Sequence, residues 1–220
     1  YLDEATGLPN KNKCEEILNE TGPVPENELV AMCVFDLNNL RTINNNLGHD
    51  KGDEYIRSFA IQLREAVPEE FFAGRDGGDE FIAVLKNVTR MQVEECLRDI
   101  REQAAKYSKE YPEMPISYAV GYAMSQDFEQ STMRELFRYA DKNMYIDKNR
   151  AKMEEAAEEK RMNQRLLAKV KEMGYQFSDC LYCDVFMDQY RVLRASSKFF
   201  LAEDGSYSGA VEQIVHKLAT

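Results

Sequence analysis

The sequence predicts a two-layer α/β sandwich of the ferredoxin-like kind, with a long C-terminal helix and a small α/β tail. Three observations carry that prediction. Every residue from Leu29 to Phe35 is apolar, which marks a strand covered on both faces. Two strand-like runs, residues 70–74 and 81–85, flank the pair Gly77-Gly78 and read as a hairpin. Amphipathic helical patterns stand before, between and after these strands, in the order helix, strand, helix, helix, strand, strand, helix, strand, helix.

Asp3 to Lys11 is a loop by its Gly7 and Pro9, and Asn10 caps a helix that runs to about Asn19. Pro23 and Pro25 interrupt the chain before the strand 29–37. That strand ends in Asp36, where solvent exposure and metal binding each account for an acid after a buried run. Residues 39–47 read as a short helix stopped by Gly48. Residues 52–66 read as a longer one with Tyr55, Ile56, Phe59, Ala60 and Leu63 on one stripe. In the hairpin, glycine supplies the positive φ that a tight turn needs, and Asp79 and Glu80 follow on alternate faces, so that at most one points the way of the turn, as a metal ligand or a plain turn acid. Thr89 caps a helix to Tyr107 with Met91, Val93, Cys96, Leu97 and Ile100 inward. Pro115 opens a strand over 116–124, and a helix over 132–150 turns Leu136, Phe137, Ala140, Met144 and Tyr145 inward.

Residues 1–150 therefore form one domain, 151–174 a helical connector, and 175–220 a small tail or partial second module. Lys148 to Met173 lacks glycine and proline and is dense in Ala, Glu, Lys, Arg and Met, the composition of a long exposed helix. Met162, Leu166, Val170 and Met173 make either a partner stripe or part of a spacer. In the tail, 183–195 reads as two strands around Asp188-Gln189, and 208–218 as a helix. So short a segment builds little core alone.

The formal net charge of −11 argues against a nucleic acid polymer as partner, because phosphate backbones are bound through clustered Lys and Arg. No apolar run reaches membrane length, so this segment is expected to make no direct membrane contact. The five cysteines form no disulfide framework, which suggests a reducing, cytoplasmic setting. Cys180 and Cys183 as a zinc or redox pair lack a second pair, and buried thiols are the simpler account. The chain opens at Tyr1 without a methionine or leader, as expected of a piece of a longer protein whose sensor or membrane anchor lies upstream.

Three stretches stand out together: Phe35-Asp-Leu-Asn-Asn-Leu-Arg-Thr-Ile-Asn44, Gly48-His-Asp-Lys-Gly-Asp53 and Gly77-Gly-Asp-Glu-Phe81. With Thr6-Gly-Leu-Pro-Asn10, Gly121-Tyr-Ala123, and Ala140-Asp141 followed by Tyr145 and Lys148, the chain resembles the GGDEF domain family, the diguanylate cyclases, over residues 3 to about 150. The resemblance implies a nucleotide-cyclase palm fold, GTP as substrate, cyclic di-GMP as product, and a homodimer in which each domain supplies half of the reaction.

The resemblance also assigns residues. Asp36 and Asp79, on neighbouring strand ends, would hold Mg²⁺ (or Mn²⁺) with the backbone carbonyl of Leu37, an oxygen set suited to a hard cation. Asp79 or Glu80 would be the base. Arg41, where the family usually has lysine, would hold phosphate oxygens. Asn44 and Asp53 match guanine-reading positions: a carboxylate accepts from N1–H and N2–H₂ together, and an amide both donates and accepts. His49 contacts the nucleotide or serves the fold, Gly77 and Gly78 make room for the substrate, and Lys148 would reach the triphosphate.

There are departures from the family pattern. The Arg-x-x-Asp of the family's inhibitory product site is here Pro68-Glu-Glu-Phe71, so feedback inhibition through that window is not expected. Ala5, Lys11 and Ala119 replace a leucine, an arginine and a serine, and Ala151-Lys-Met153 replaces Gly-Arg-Asn, which removes a helix stop. None removes a metal ligand. A catalytically silent GTP-binding module that regulates a partner is the alternative function.

Overall fold

A computed structural model of the chain describes residues 1–172, 180–184, 189–194, 204–211 and 213. It divides into two compact units, Tyr1–Ala151 and Lys152–Thr220.

The first unit runs α1 (Lys11–Leu18), β1 (Val30–Leu37), α2 (Leu40–Leu47), α3 (His49–Ala66), β2 (Phe72–Gly77), β3 (Glu80–Lys86), α4 (Arg90–Glu110) and β4 (Tyr118–Met124). A 3-10 turn, Ser125–Asp127, then leads to α5 (Met133–Glu172). The sheet is antiparallel throughout, in the order β2-β3-β1-β4, as the ferredoxin-like reading requires.

The all-apolar run becomes the second strand from one edge, and every residue of β1 is buried. Because strand side chains alternate, the two faces of β1 feed two cores. Ala31, Cys33, Phe35 and Leu37 pack with Tyr55, Phe59 and Leu63 of α3 and Val93, Leu97 and Ile100 of α4. Val30, Met32 and Val34 pack with Cys14 and Leu18 of α1 and Met133, Leu136, Ala140 and Met144 of α5. Phe59 anchors the first core, its ring 5.0 Å from Phe81 and 5.0 Å from Tyr118. Fully burying such a ring is worth roughly 1.5–3 kcal/mol.

The helix ends follow their caps. Asn10 accepts from the Lys13 N–H, and Thr89 with Gln92 closes a capping box at α4. Two expected core residues are corrected: Met91 is 75% exposed and Tyr145 62%. Met91 sits in the first turn of α4, before the stripe Val93, Cys96, Leu97, Ile100 reaches the sheet. The buried stripe of α5 is Met133, Leu136, Ala140, Met144, and Tyr145 lies about 100° further round the helix.

α5 docks on β4 through a glycine. A Cβ on Gly121 would stand 2.0 Å from the Met144 nitrogen and 2.3 Å from the Ala140 carbonyl oxygen, so helix and strand backbones touch there. Two helix side chains four residues apart then serve the edge of β4. Asn143 Nδ2 donates to the Tyr122 carbonyl (2.9 Å), and the Val120 N–H donates to Asp147 Oδ2 (3.1 Å).

The second unit holds an antiparallel sheet of β5 (Cys180–Asp184), β6 (Gln189–Arg194) and β7 (Asp204–Ser206). Gln189 opens β6 rather than sitting in a turn, and β7 adds a strand the sequence did not signal. Asp188 lies outside the described residues; helix is present at 207–211, and most of the expected 208–218 segment lies outside them. On α5, Met162 is half exposed, whereas the side chains at 166 and 170 and all of Met173 fall outside the described residues. Cys183 is exposed, the side chain at 180 is not among those described, and no metal-binding cluster of three or more His, Cys, Asp or Glu occurs among the described residues.

Candidate active site

The last turn of β1 and the tip of the β2–β3 hairpin meet at one end of the sheet. Asp36, 8% exposed, pairs in register with Glu80 on β3 and with Ala119 on β4. The cross-strand neighbour of Asp36 is therefore Glu80. Asp79 is at the hairpin tip instead of on a strand, which corrects the expectation of two strand-end aspartates.

The turn differs from a plain two-glycine hairpin for a physical reason. β2 continues to Gly77, which pairs with Glu80, and the loop residues are Gly78 and Asp79. Asp76 is left out of the ladder as a bulge. Gly77 at φ 151° and Gly78 at φ 39° take the positive dihedrals this path demands. The Asp79 carbonyl accepts from the Leu37 N–H (2.9 Å), so the β1–β3 ladder carries on past the two acids into the turn.

Arg75 holds the tip from below. Its Nε and Nη2 donate to the Gly78 carbonyl (3.1 and 2.7 Å), and Nη1 donates to both Asp3 carboxylate oxygens (3.1 Å each). Asp3 also accepts from the Thr6 N–H and hydroxyl, tying the N-terminal loop to the hairpin. Sequence reasoning missed this link, since nothing local joins residues 72 positions apart. It also missed the clamp of Asn143 and Asp147 on β4.

Lys148 reaches into the acids from α5. Its Nζ lies 2.6 Å from Asp36 Oδ1, with the two side chains 26% and 11% exposed. The carboxyl of Glu80 is pushed above its ordinary range by partial desolvation and then by repulsion from Asp36, Asp76, Asp79 and Asp141. Asp76 is raised mainly by desolvation, and its Oδ1 is buried without a hydrogen-bond partner.

Crowded carboxylates of this kind fit a hard divalent cation: the donors are all oxygen, and Lys148 sets an ammonium on Asp36 alone of the strand pair Asp36 and Glu80. Magnesium keeps waters and substrate oxygens among its ligands, so a site with only two or three protein groups suits it.

The other expected residues gather on the helices after β1. A Cβ on Gly52 would lie 1.9 Å from Asn44 Oδ1, so the Asn44 amide rests on the first turn of α3 next to Asp53. Arg41 on α2, and His49 and Asp53 on α3, are exposed. The structure thus joins Asp36, Leu37, Asp79, Glu80 and Lys148 in one place, and Asn44 with Gly52 and Asp53 in a second.

Fold and site together define a palm-type α/β domain with an acidic hairpin at the end of its sheet. The chain belongs to the GGDEF domain family: the family model described as diguanylate cyclase, GGDEF domain, matches residues 1–154. An uncharacterised membrane protein of Staphylococcus saprophyticus is 31% identical over 155 residues, which cover 67% of this chain and 43% of that protein. Another from Staphylococcus haemolyticus is 30% identical over 154 residues, with the same coverage of 67% and 43%. The matched part thus spans less than half the length of these curated relatives.

A microbial GGDEF domain solved for its interaction with cyclic di-GMP superposes with a TM-score of 0.56 at 25% identity, covering 67% of this chain and 92% of that one. The GGDEF domain of DgcB from Caulobacter crescentus, in complex with c-di-GMP, has the same fold, with a TM-score of 0.56 at 22% identity and coverage of 67% and 90%. No helix among the described residues is long and apolar enough to cross a membrane.

Proposed function

We propose that this domain is a diguanylate cyclase, condensing two GTP into cyclic di-GMP and two pyrophosphates. The observation that carries the reading is the cross-strand pair Asp36 and Glu80 beside the Gly78-Asp79 tip, with Lys148 seated on Asp36. The 3′-hydroxyl of each GTP attacks the α-phosphate of the other. Two phosphodiester bonds form, two bonds to pyrophosphate break, and each hydroxyl proton passes to Asp79 or Glu80.

Asp36, Asp79 and the Leu37 carbonyl are the groups that would hold Mg²⁺ or Mn²⁺, which would supply charge compensation at the reacting phosphate. Arg41 and Lys148 place cations on the phosphate oxygens, and Gly77 and Gly78 add no side chain of their own where the substrate lies. Asn44 and Asp53 select guanine by pairing its N1–H, N2–H₂ and O6 edge, with His49 beside them. One domain holds one GTP, so the active species is a homodimer, controlled in the parent protein by an upstream sensor. The setting is cytoplasmic, where GTP is found, and the parent protein is membrane-anchored as its curated relatives are named.

Incubation with GTP and Mg²⁺, with nucleotides separated by chromatography, tests this. Cyclic di-GMP is expected from the wild type and not from Asp36→Ala or Asp79→Ala with the fold retained. GTP binding without product, at a concentration where the protein dimerises, would show a silent regulatory module instead.

A further inference from the structure

The position of Lys148 points beyond a phosphate contact. We infer that Lys148 is the resting counter-ion of Asp36, and that a divalent cation arriving with the nucleotide displaces it, so that cation and nucleotide bind as a coupled pair. The inference rests on the cyclase reading of the site but concerns how the site is kept in the absence of substrate.

Asp36 is nearly buried, and taking a carboxylate out of water is costly without a positive partner beside it. Lys148 Nζ at 2.6 Å is that partner. The helix that carries the lysine is docked closely on the sheet. Gly121 lets the α5 backbone lie against β4, and Asn143 and Asp147 bond the β4 backbone within the turn and a half before Lys148.

One ammonium only partly offsets the acids around it, since Glu80 stands directly across the strand from the Asp36 that Lys148 pairs with. A divalent ion compensates more charge, but it must expel Lys148 and find further oxygen ligands. Among the described residues no group of three or more His, Cys, Asp or Glu is placed to hold it. Nucleotide phosphates supply the missing ligands, and the freed ammonium has those same phosphates to pair with. A free cation therefore competes poorly with Lys148, whereas a cation with nucleotide wins.

The test is Mn²⁺ affinity read by electron paramagnetic resonance, without nucleotide and with a non-hydrolysable GTP analogue. Lys148→Met removes the competitor and is expected to bind Mn²⁺ alone roughly tenfold tighter than wild type, a change of about 1.4 kcal/mol. Lys148→Arg keeps the charge and stays at the wild-type value. With the analogue present, the advantage of Lys148→Met disappears or reverses. In the wild type itself, saturating Mn²⁺ alone should raise the labelling of Lys148 by an amine reagent severalfold, read by mass spectrometry, which needs no variant to fold.

Equal or weaker Mn²⁺ binding by folded Lys148→Met, or unchanged labelling, overturns the exchange while leaving the cyclase reading intact. Absence of Mn²⁺ binding by wild type even with the analogue, or binding unaffected by Asp36→Asn, overturns the site reading and the exchange with it.

Discussion

Replacing Gly121 with alanine tests how α5 is held. The new methyl carbon would meet the Met144 nitrogen at 2.0 Å and the Ala140 oxygen at 2.3 Å, where ordinary contact begins near 3.4 Å. Both obstacles are helix backbone, so no side chain can rotate away, and α5 must retreat from β4 by more than about 1 Å. That retreat stretches the Asn143 and Asp147 bonds, now 2.9 and 3.1 Å, out of hydrogen-bonding range. Overpacking of this sort costs about 1–3 kcal/mol, and each lost bond about 1 kcal/mol. A total near 4 kcal/mol lowers the melting temperature by about 8–16 °C in a domain of this size. Circular dichroism melts measure it. Melting within about 2 °C of wild type would refute the close-approach argument, because the strand and helix would then be separable at no cost.

Gly52→Ala is expected to behave oppositely. Its methyl collides with the mobile end of Asn44, so the melting temperature should move by less than about 3 °C, yet GTP should bind about tenfold or more weakly, or lose its advantage over ATP, in a calorimetric titration. Arg75→Lys cannot reproduce the fork that joins Gly78 to Asp3, and should cost about 1.5–3 kcal/mol. Hydrogen exchange should then show the Leu37 amide, bonded to the tip carbonyl, exchanging faster, and unchanged protection would contradict the tether. Glu80 supplies a pH signature. Its carboxyl holds a proton more tightly folded than unfolded, so its share of stability is lost as pH rises from the unfolded value of about 4.5 through the raised folded one. Glu80→Gln should therefore melt higher than wild type at pH 7.5 in chelator, with the difference closing toward pH 4. A constant difference across that range would count against crowding as the cause.

The sheet was legible because its central strand is apolar at every position from Leu29 to Phe35, a pattern that only a doubly covered strand explains. Asp36 was visible as an oddity at the end of that run, but an exposed acid and a metal ligand look the same in one sequence. Only the resemblance carried by the other motifs favours the ligand. The hairpin was legible and its turn was not. Two adjacent glycines suggest that they are the loop, whereas the bulge at Asp76 moves the register so that Asp79 takes the tip and Glu80 the strand. Met91 and Tyr145 were misplaced because helical periodicity gives a stripe but not where the sheet begins to cover it. The ion pair of Lys148 with Asp36 joins residues 112 positions apart. It depends on how α5 docks at Gly121, which no local pattern encodes.

The clamp of α5 on β4 has a consequence for self-association. Sheets grow by offering the free amides and carbonyls of an edge strand to another chain. Here Asn143 and Asp147 occupy two of those groups on β4, and at the opposite edge the Arg75 amide is already given to the Pro9 carbonyl. With both borders partly stopped, continuous β-pairing between copies is disfavoured. On the proposed cyclase reading, two such domains would meet through contacts between side chains and loops, which form and part without breaking backbone ladders. An encounter of that kind would be readily reversible.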